Sequence, residues 1–253
     1  MSAKPFPKIV CLFNSPTPNF CAYERGDPSS TLEPLFAALQ SSCERSYSFW
    51  EFRIRSSYTG FGYSSIANDA EDISAMVGYL RGLGKEKIVL LGSSTYCQDI
   101  LAYASSTTAL PEVDAYIHQA PTSDRETASL LMPPTFLAQT LGHAEDMIAR
   151  GNKDEIMPKS LIPPIFTLPI TAYRGHSLIA KGGDDDYFSE NDEMVPASID
   201  KERLLRRWKS AAPKGVVSDF SGLIPGADHA LREDAAQEWF AARVVEFLRT
   251  LGV

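Results

Sequence analysis

Several common functions need residue types in which this 253-residue chain is poor. Its 24 lysines and arginines stand against 32 acidic residues, leaving a net charge of −8. The basic residues do not cluster, and counterion release from a phosphate backbone needs clustered ones, so a nucleic-acid partner is not expected. Cysteine occurs four times, at Cys11, Cys21, Cys43 and Cys97. Those spacings match neither a zinc-ligand pattern nor a dense disulfide framework, so the expectation is reduced, mostly buried thiols, no metal and no cofactor. No signal-peptide pattern precedes them, and no uninterrupted apolar stretch nears the ~20 residues of a membrane span. A soluble, cytoplasmic protein with a small-molecule substrate, no membrane partner, and a monomeric or homodimeric state is the resulting expectation.

What the chain does have is enough apolar residue, 44%, for one sizeable α/β domain over 1–253. Lys8 to Phe13 ("KIVCLF") reads as a strand, followed by a Pro- and Ser-rich loop and a helix over Thr31–Ser41. "SYSFWEFRI" reads as a strand, and "SSIANDAEDISAMVGYLRGLG" as a helix capped by Ser64 or Ser65 and ended by Gly82 and Gly84. "KIVLLG", "STYCQDILAYAS" and "VDAYIHQA" continue as strand, helix and strand. Such alternation predicts βαβ crossovers and a mostly parallel sheet flanked by helices. Between 120 and 174 seven prolines interrupt short helical patterns such as "ETASLLM" and "HAEDMIAR". This segment reads as a small cap-like insertion without long regular elements. The alternation resumes with "HSLIA" as strand, "SIDKERLLRRWKSA" as helix, "GVVSDFS" as strand and "DAAQEWFAARVVEFLRTL" as a closing amphipathic helix.

Open parallel sheets bind ligands beyond the carboxyl ends of their strands, which directs attention to three residues. Ser94 stands at the turn from "KIVLLG" into a helix, within Gly92-Ser93-Ser94-Thr95-Tyr96. That pentapeptide has the leading glycine of Gly-x-Ser-x-Gly and lacks the trailing one, so a nucleophile and a plain helix cap fit it about equally. Asp186 follows "HSLIA" in an acidic loop, with Asp184 and Asp185 as alternatives, and a solvated acidic face is the competing reading. His229 lies between the last strand and the last helix, where it can serve a serine as general base. Tyr58, Tyr63, Tyr96 and His118 are pocket candidates, with packing roles as the alternative; His143 and His176 have weaker claims. The order Ser94, Asp186, His229 is that of the α/β-hydrolase fold, with the antiparallel strands of its N-terminal edge shortened.

"SSYTGFGYSSIANDAEDI", "LGSSTYCQDILAY", "IHQAPTSDRE", "KGGDDDYFSENDE" and "GADHAL" together resemble the fungal siderophore-esterase family of α/β hydrolases. The resemblance implies ester hydrolysis by a Ser94–Asp186–His229 triad through an acyl-enzyme. It also implies an oxyanion hole made by the Thr95 N–H and a donor from the loop after the first strand. There the family has a glycine pair, and this chain has Asn14-Ser15-Pro16. Proline has no N–H to give, so Ser15 or the Asn14 side chain is the expected second donor. Tyr96 in place of glycine is expected to crowd the helix against neighbouring strands. These departures leave a second reading open, a non-hydrolytic cyclase, dehydratase or lyase of secondary metabolism using the Asp–His pair. A catalytically silent binding protein on the same scaffold is a third.

Overall fold

A computed structural model describes residues 9–12, 21–25, 49–185, 200–229 and 231–251. They group into two compact units. One takes in Arg53 through Asp185; the other holds most of strands β1 (Ile9–Leu12), β2 (Cys21–Arg25) and β3 (Phe49–Arg53) together with the described C-terminal segment. The expected helix over 31–41 lies outside the described residues.

In the first unit, Ser65 accepts a hydrogen bond from Asn68 N–H (3.2 Å) and opens helix α1 (Ile66–Gly82). The capping residue satisfies one of the four donors that every helix N-terminus leaves without an intrahelical partner. Gly84, at φ 78°, takes the left-handed conformation that lets the chain leave the helix. Ile66, Ile73, Met76, Val77 and Leu80 recur at helical spacing and are buried. Full burial of a Met or Val side chain contributes roughly 1.5–3 kcal/mol. Strand β4 (Val89–Ser93), helix α2 (Tyr96–Ala104) and strand β5 (Ala115–Gln119) follow. The two strands pair in parallel, from Val89 opposite Ala115 to Ser93 opposite Gln119, which is the βαβ crossover that the alternation predicts.

Helices α3 (Asp124–Leu131), α4 (Pro134–Ala149) and α5 (Ala172–Ile179) fill the proline-rich segment and its end. Leu137, Ala144, Met157, Ile162, Ile170 and Leu178 make a common buried cluster. The segment therefore has a core of its own. Two expectations for it need correction. The prolines do not exclude a long element: α4 runs 16 residues, because Pro133 and Pro134 stand at its start, where the missing N–H costs no hydrogen bond. "HSLIA" is not a strand but the end of α5, whose N-cap Thr171 accepts from Arg174 N–H (3.2 Å). A short apolar run buried on all sides suits either element, and the cap upstream selected the helix.

The other unit carries β1, β2 and β3 as a three-stranded sheet in that order. β2 falls in a stretch that reads as loop, since five residues with one aromatic show no clear period-2 pattern. Helices α6 (Lys201–Ala211) and α7 (Asp234–Thr250) lie where predicted. Helix α7 buries Ala236, Phe240, Val244 and Leu248 along one stripe. "GVVSDFS" forms turns instead of a strand. Gly215 has φ 86°, Val216 is 69% exposed, and Phe220 N–H bonds the Ser218 hydroxyl (3.2 Å), so the local polar groups satisfy the backbone before any ladder does. No helix among the described residues is long and apolar enough to cross a membrane.

Candidate active site

The turn from β4 into α2 is built from residues that only a tight geometry explains. A Cβ at Gly92 would stand 2.8 Å from the Tyr96 carbonyl oxygen and 2.6 Å from the Ile100 side chain, so glycine is required there by close approach. Two residues on, Ser94 has φ 58°. A non-glycine residue in the left-handed region stores on the order of 1–3 kcal/mol, and such strain concentrates where a side chain has to be presented. Ser94 N–H is tied to Gln119 O on β5 (3.0 Å), and Ser94 O accepts from Cys97 N–H (3.1 Å). The conformation is thus held from both sides. Ser93 bonds the Gln119 side chain, and buried Cys97 points its Sγ at Gly92 O (3.2 Å).

The Ser94 hydroxyl lies 3.3 Å from the Thr122 hydroxyl. Thr122 is buried just beyond β5. Thr95 N–H donates to no group among the described residues, leaving it available next to the serine at a helix N-terminus, where the helix dipole favours negative charge. Tyr96, expected to crowd the packing, is instead 48% exposed. Its ring stays beside the elbow, near Ser57, and burial raises the pKa of its hydroxyl.

A cavity of about 70 Å³ opens beside the elbow, lined by Thr95 and Tyr96 and by Gln98, Asp99, Asp124, Arg174 and Asp185. Arg174 is buried; one of its terminal nitrogens donates to both oxygens of Asp185 (2.6 Å each) and its Nε donates to Phe61 O (2.9 Å). Its guanidinium also lies over the Phe61 ring, 4.8 Å from the centroid. Asp185 accepts a further bond from Ser177. Carboxyls outnumber this single cation. Burial pushes Asp124 up to about 6 and Asp99 well above the usual carboxylate range, with neighbouring aspartates adding to both. Asp69, on α1, is likewise raised to about 6 by burial, against hydrogen bonds from Ser56 N–H and the Ser64 hydroxyl.

The other predicted site residues distribute as follows. Tyr96 lines the cavity, whereas Tyr58 (68% exposed), Tyr63 (52% exposed) and His118 do not. Tyr58 is held at φ 57° and bonds Arg53, which also stacks on its ring at 4.6 Å. His118 stands on β5 opposite Gly92, where burial lowers its pKa and keeps the ring neutral. His229 belongs to the other unit, in a turn where Ala227 N–H bonds Ile224 O (3.3 Å) and Leu231 N–H bonds Asp228 O (3.2 Å). Asp186, Asn14, Ser15 and Pro16 lie outside the described residues. Of the alternatives to Asp186, Asp185 is engaged with Arg174 and Asp184 bonds the Tyr173 hydroxyl. Sequence reasoning missed Thr122, Gln98, Asp99, Asp124 and Arg174. Thr122 and Asp124 sit inside the quoted "IHQAPTSDRE"; nothing in the local pattern signals Arg174.

Among the described residues, four that are not glycine have positive φ: Tyr58, Ser94, Ala120 and Leu231. Two are themselves predicted site residues, and the others stand two positions after His118 and His229.

Residues 30–190 and 188–249 match the family described as a protein of unknown function, DUF1749. The chain is 28% identical to an esterase of Emericella nidulans over 286 aligned positions, covering 79% of this chain and 76% of that one. It is 27% identical to the fusarinine C esterase of Aspergillus fumigatus over 289 positions, covering 83% and 80%. Among solved structures, the siderophore hydrolase EstB from Aspergillus fumigatus is similar with a TM-score of 0.69 at 24% identity, covering 93% of this chain and 96% of that one. At that identity the likeness carries the fold.

Proposed function

The chain belongs to the DUF1749 family and has an α/β-hydrolase fold, and on that premise we propose that it is a serine esterase acting on a small or medium natural product of siderophore-like type. The observation that carries this reading is Ser94 at φ 58° between β4 and α2, with a Thr95 N–H beside it that donates to no group among the described residues. A helix cap needs no such strain: Ser65 and Thr171 cap their helices from extended backbone. A nucleophile elbow does, because the sharp turn is what lifts the hydroxyl clear of the sheet. The two relatives named as esterases support the reaction class.

In this reading Ser94 Oγ attacks the ester carbonyl and gives its proton to His229, which then passes it to the departing alcohol. The carbonyl oxygen, now an anion, is held by the Thr95 N–H and by a second donor from Asn14 or Ser15. Water deprotonated by His229 splits the acyl-enzyme and restores the serine. Asp186 orients the imidazole and stabilises its charged form. Asp186 and His229 enter on their chain order, and Ser94 on its geometry.

A fluorophosphonate probe tests the proposal. Wild type is expected to be labelled and Ser94→Ala not, with ester turnover falling by about 10³-fold or more. Turnover of the natural substrate that survives in Ser94→Ala and is lost in His229→Ala would overturn it in favour of non-hydrolytic acid–base chemistry.

A further inference from the structure

The cavity beside the elbow carries more acceptors than donors. Among the described residues Arg174 is its one cation, and both oxygens of Asp185 already receive that guanidinium at 2.6 Å. Asp124 receives one bond, from Gln98 Nε2 (3.0 Å). Asp99 receives no hydrogen bond among the described residues, although it too lines the cavity. The second observation is independent of charge: Gln98 is 1% exposed, lines the same space, and its Oε1 has no hydrogen-bond partner among the described residues. A buried carbonyl left unsatisfied costs roughly 1–3 kcal/mol, so a fold that keeps one facing a cavity is short of a donor there.

We propose that this cavity is a subsite for a primary ammonium group on the substrate, with the Asp99 and Asp124 carboxylates and Gln98 Oε1 as its three acceptors. This deepens the esterase reading and rests on it for what the ammonium is attached to. An –NH₃⁺ has three donors on one compact centre, one for each of those oxygens, whereas a guanidinium presents a planar fork. The size agrees. About 70 Å³ exceeds what one water occupies and suits an ammonium with a methylene or two. Among the described residues no group of three or more His, Cys, Asp or Glu could hold a metal ion. Burial raises Asp99 and Asp124 above the ordinary carboxylate range, and a bound cation is what returns such groups to the charged form. Thr95 and Tyr96 line the cavity directly after Ser94, which sets the ammonium a short chain away from the ester carbonyl.

The full chain is assayed on two 4-nitrophenyl esters of matched shape, the 6-aminohexanoate and the heptanoate. Wild type should favour the amino ester by about tenfold or more in kcat/KM, mainly through KM, and Asp99→Asn should bring that ratio toward one. A wild-type ratio at or below one, or a ratio untouched by Asp99→Asn, overturns the subsite. Melting curves give a readout that needs no catalysis. At equal ionic strength n-butylammonium should raise the Tm of wild type more than that of Asp99→Asn. Tetramethylammonium, which has no N–H, should not raise it. Equal shifts from both salts count against the subsite. A selective n-butylammonium shift without hydrolysis of either ester sinks the esterase reading and leaves the subsite standing; equal hydrolysis of both esters with no shift does the reverse.

Discussion

The elbow and the cavity beside it lie against each other and are built by opposite means. The elbow is local: Gly92, Ser94 and Cys97 sit within six residues, and a Cβ at Gly92 would meet Ile100 and Tyr96, both within the next eight. The cavity is assembled from distant pieces. Arg174 bonds Phe61 across 113 positions and Asp185 across 11, while Gln98 reaches Asp124 across 26. The elbow stores its tension in backbone torsion, and the cavity stores it in unsatisfied and like-charged side chains. Strain of the first kind needs only a short motif. Strain of the second kind needs a surrounding fold rigid enough to hold charges where water cannot relieve them.

The contrast is most severely broken by Arg174→Met. It leaves Asp185 buried without its cation, and loss of one partner of a buried pair costs about 3–5 kcal/mol. Urea denaturation should show that loss, with the elbow sequence untouched. Gly92→Ala attacks the other side. Its new methyl meets the Tyr96 carbonyl at 2.8 Å, so a destabilisation of about 3 kcal/mol is expected in the same measurement, since backbone cannot yield as a side-chain tip does.

Asp124→Asn sharpens the comparison through pH. The Asp124 carboxyl is pushed up to about 6 in the fold from 3.8, so the folded state keeps a proton that the unfolded chain releases. The stability this group contributes is present below about 4 and lost as pH rises through about 6, on the order of 2 kcal/mol in all. Denaturation at pH 4 and pH 8 should show wild type losing that amount and the asparagine variant being spared it. Ser94→Gly gives the smallest effect and the opposite sign. Glycine accepts φ 58° without the Cβ penalty, so stability should rise by about 1 kcal/mol while esterase activity disappears. Thermal denaturation beside an ester assay checks both; a variant less stable than wild type would mean the serine side chain contributes more than its torsion costs.

Legibility in the sequence followed the same division. Helix α1 was readable because Ser65 and the spacing of Ile66, Ile73, Met76, Val77 and Leu80 are local signals. Helix α7 was readable from its stripe. "HSLIA" reads as a strand because its three apolar residues suit a strand and a buried helix equally, and Thr171, the residue that decides, stands outside the run. The prolines at 133 and 134 read as breakers from composition, but their place at the helix start makes them starters. At the site, Ser94 and Tyr96 could be singled out from one pentapeptide. That Tyr96 borders the cavity while half exposed could not, because exposure depends on what the rest of the chain places nearby.

By itself the sequence determined the strand–turn–helix around Ser94, since glycine spacing, helix start and apolar strand act over a few residues. It did not determine that the serine sits at φ 58° next to Thr122, nor that Gln98, Asp99 and Asp124 share a small cavity with Arg174 and Asp185. Those depend on which elements pack together. Burial and dielectric are set by packing, and a carboxylate's pKa or a carbonyl's missing partner exists only once the neighbours have arrived.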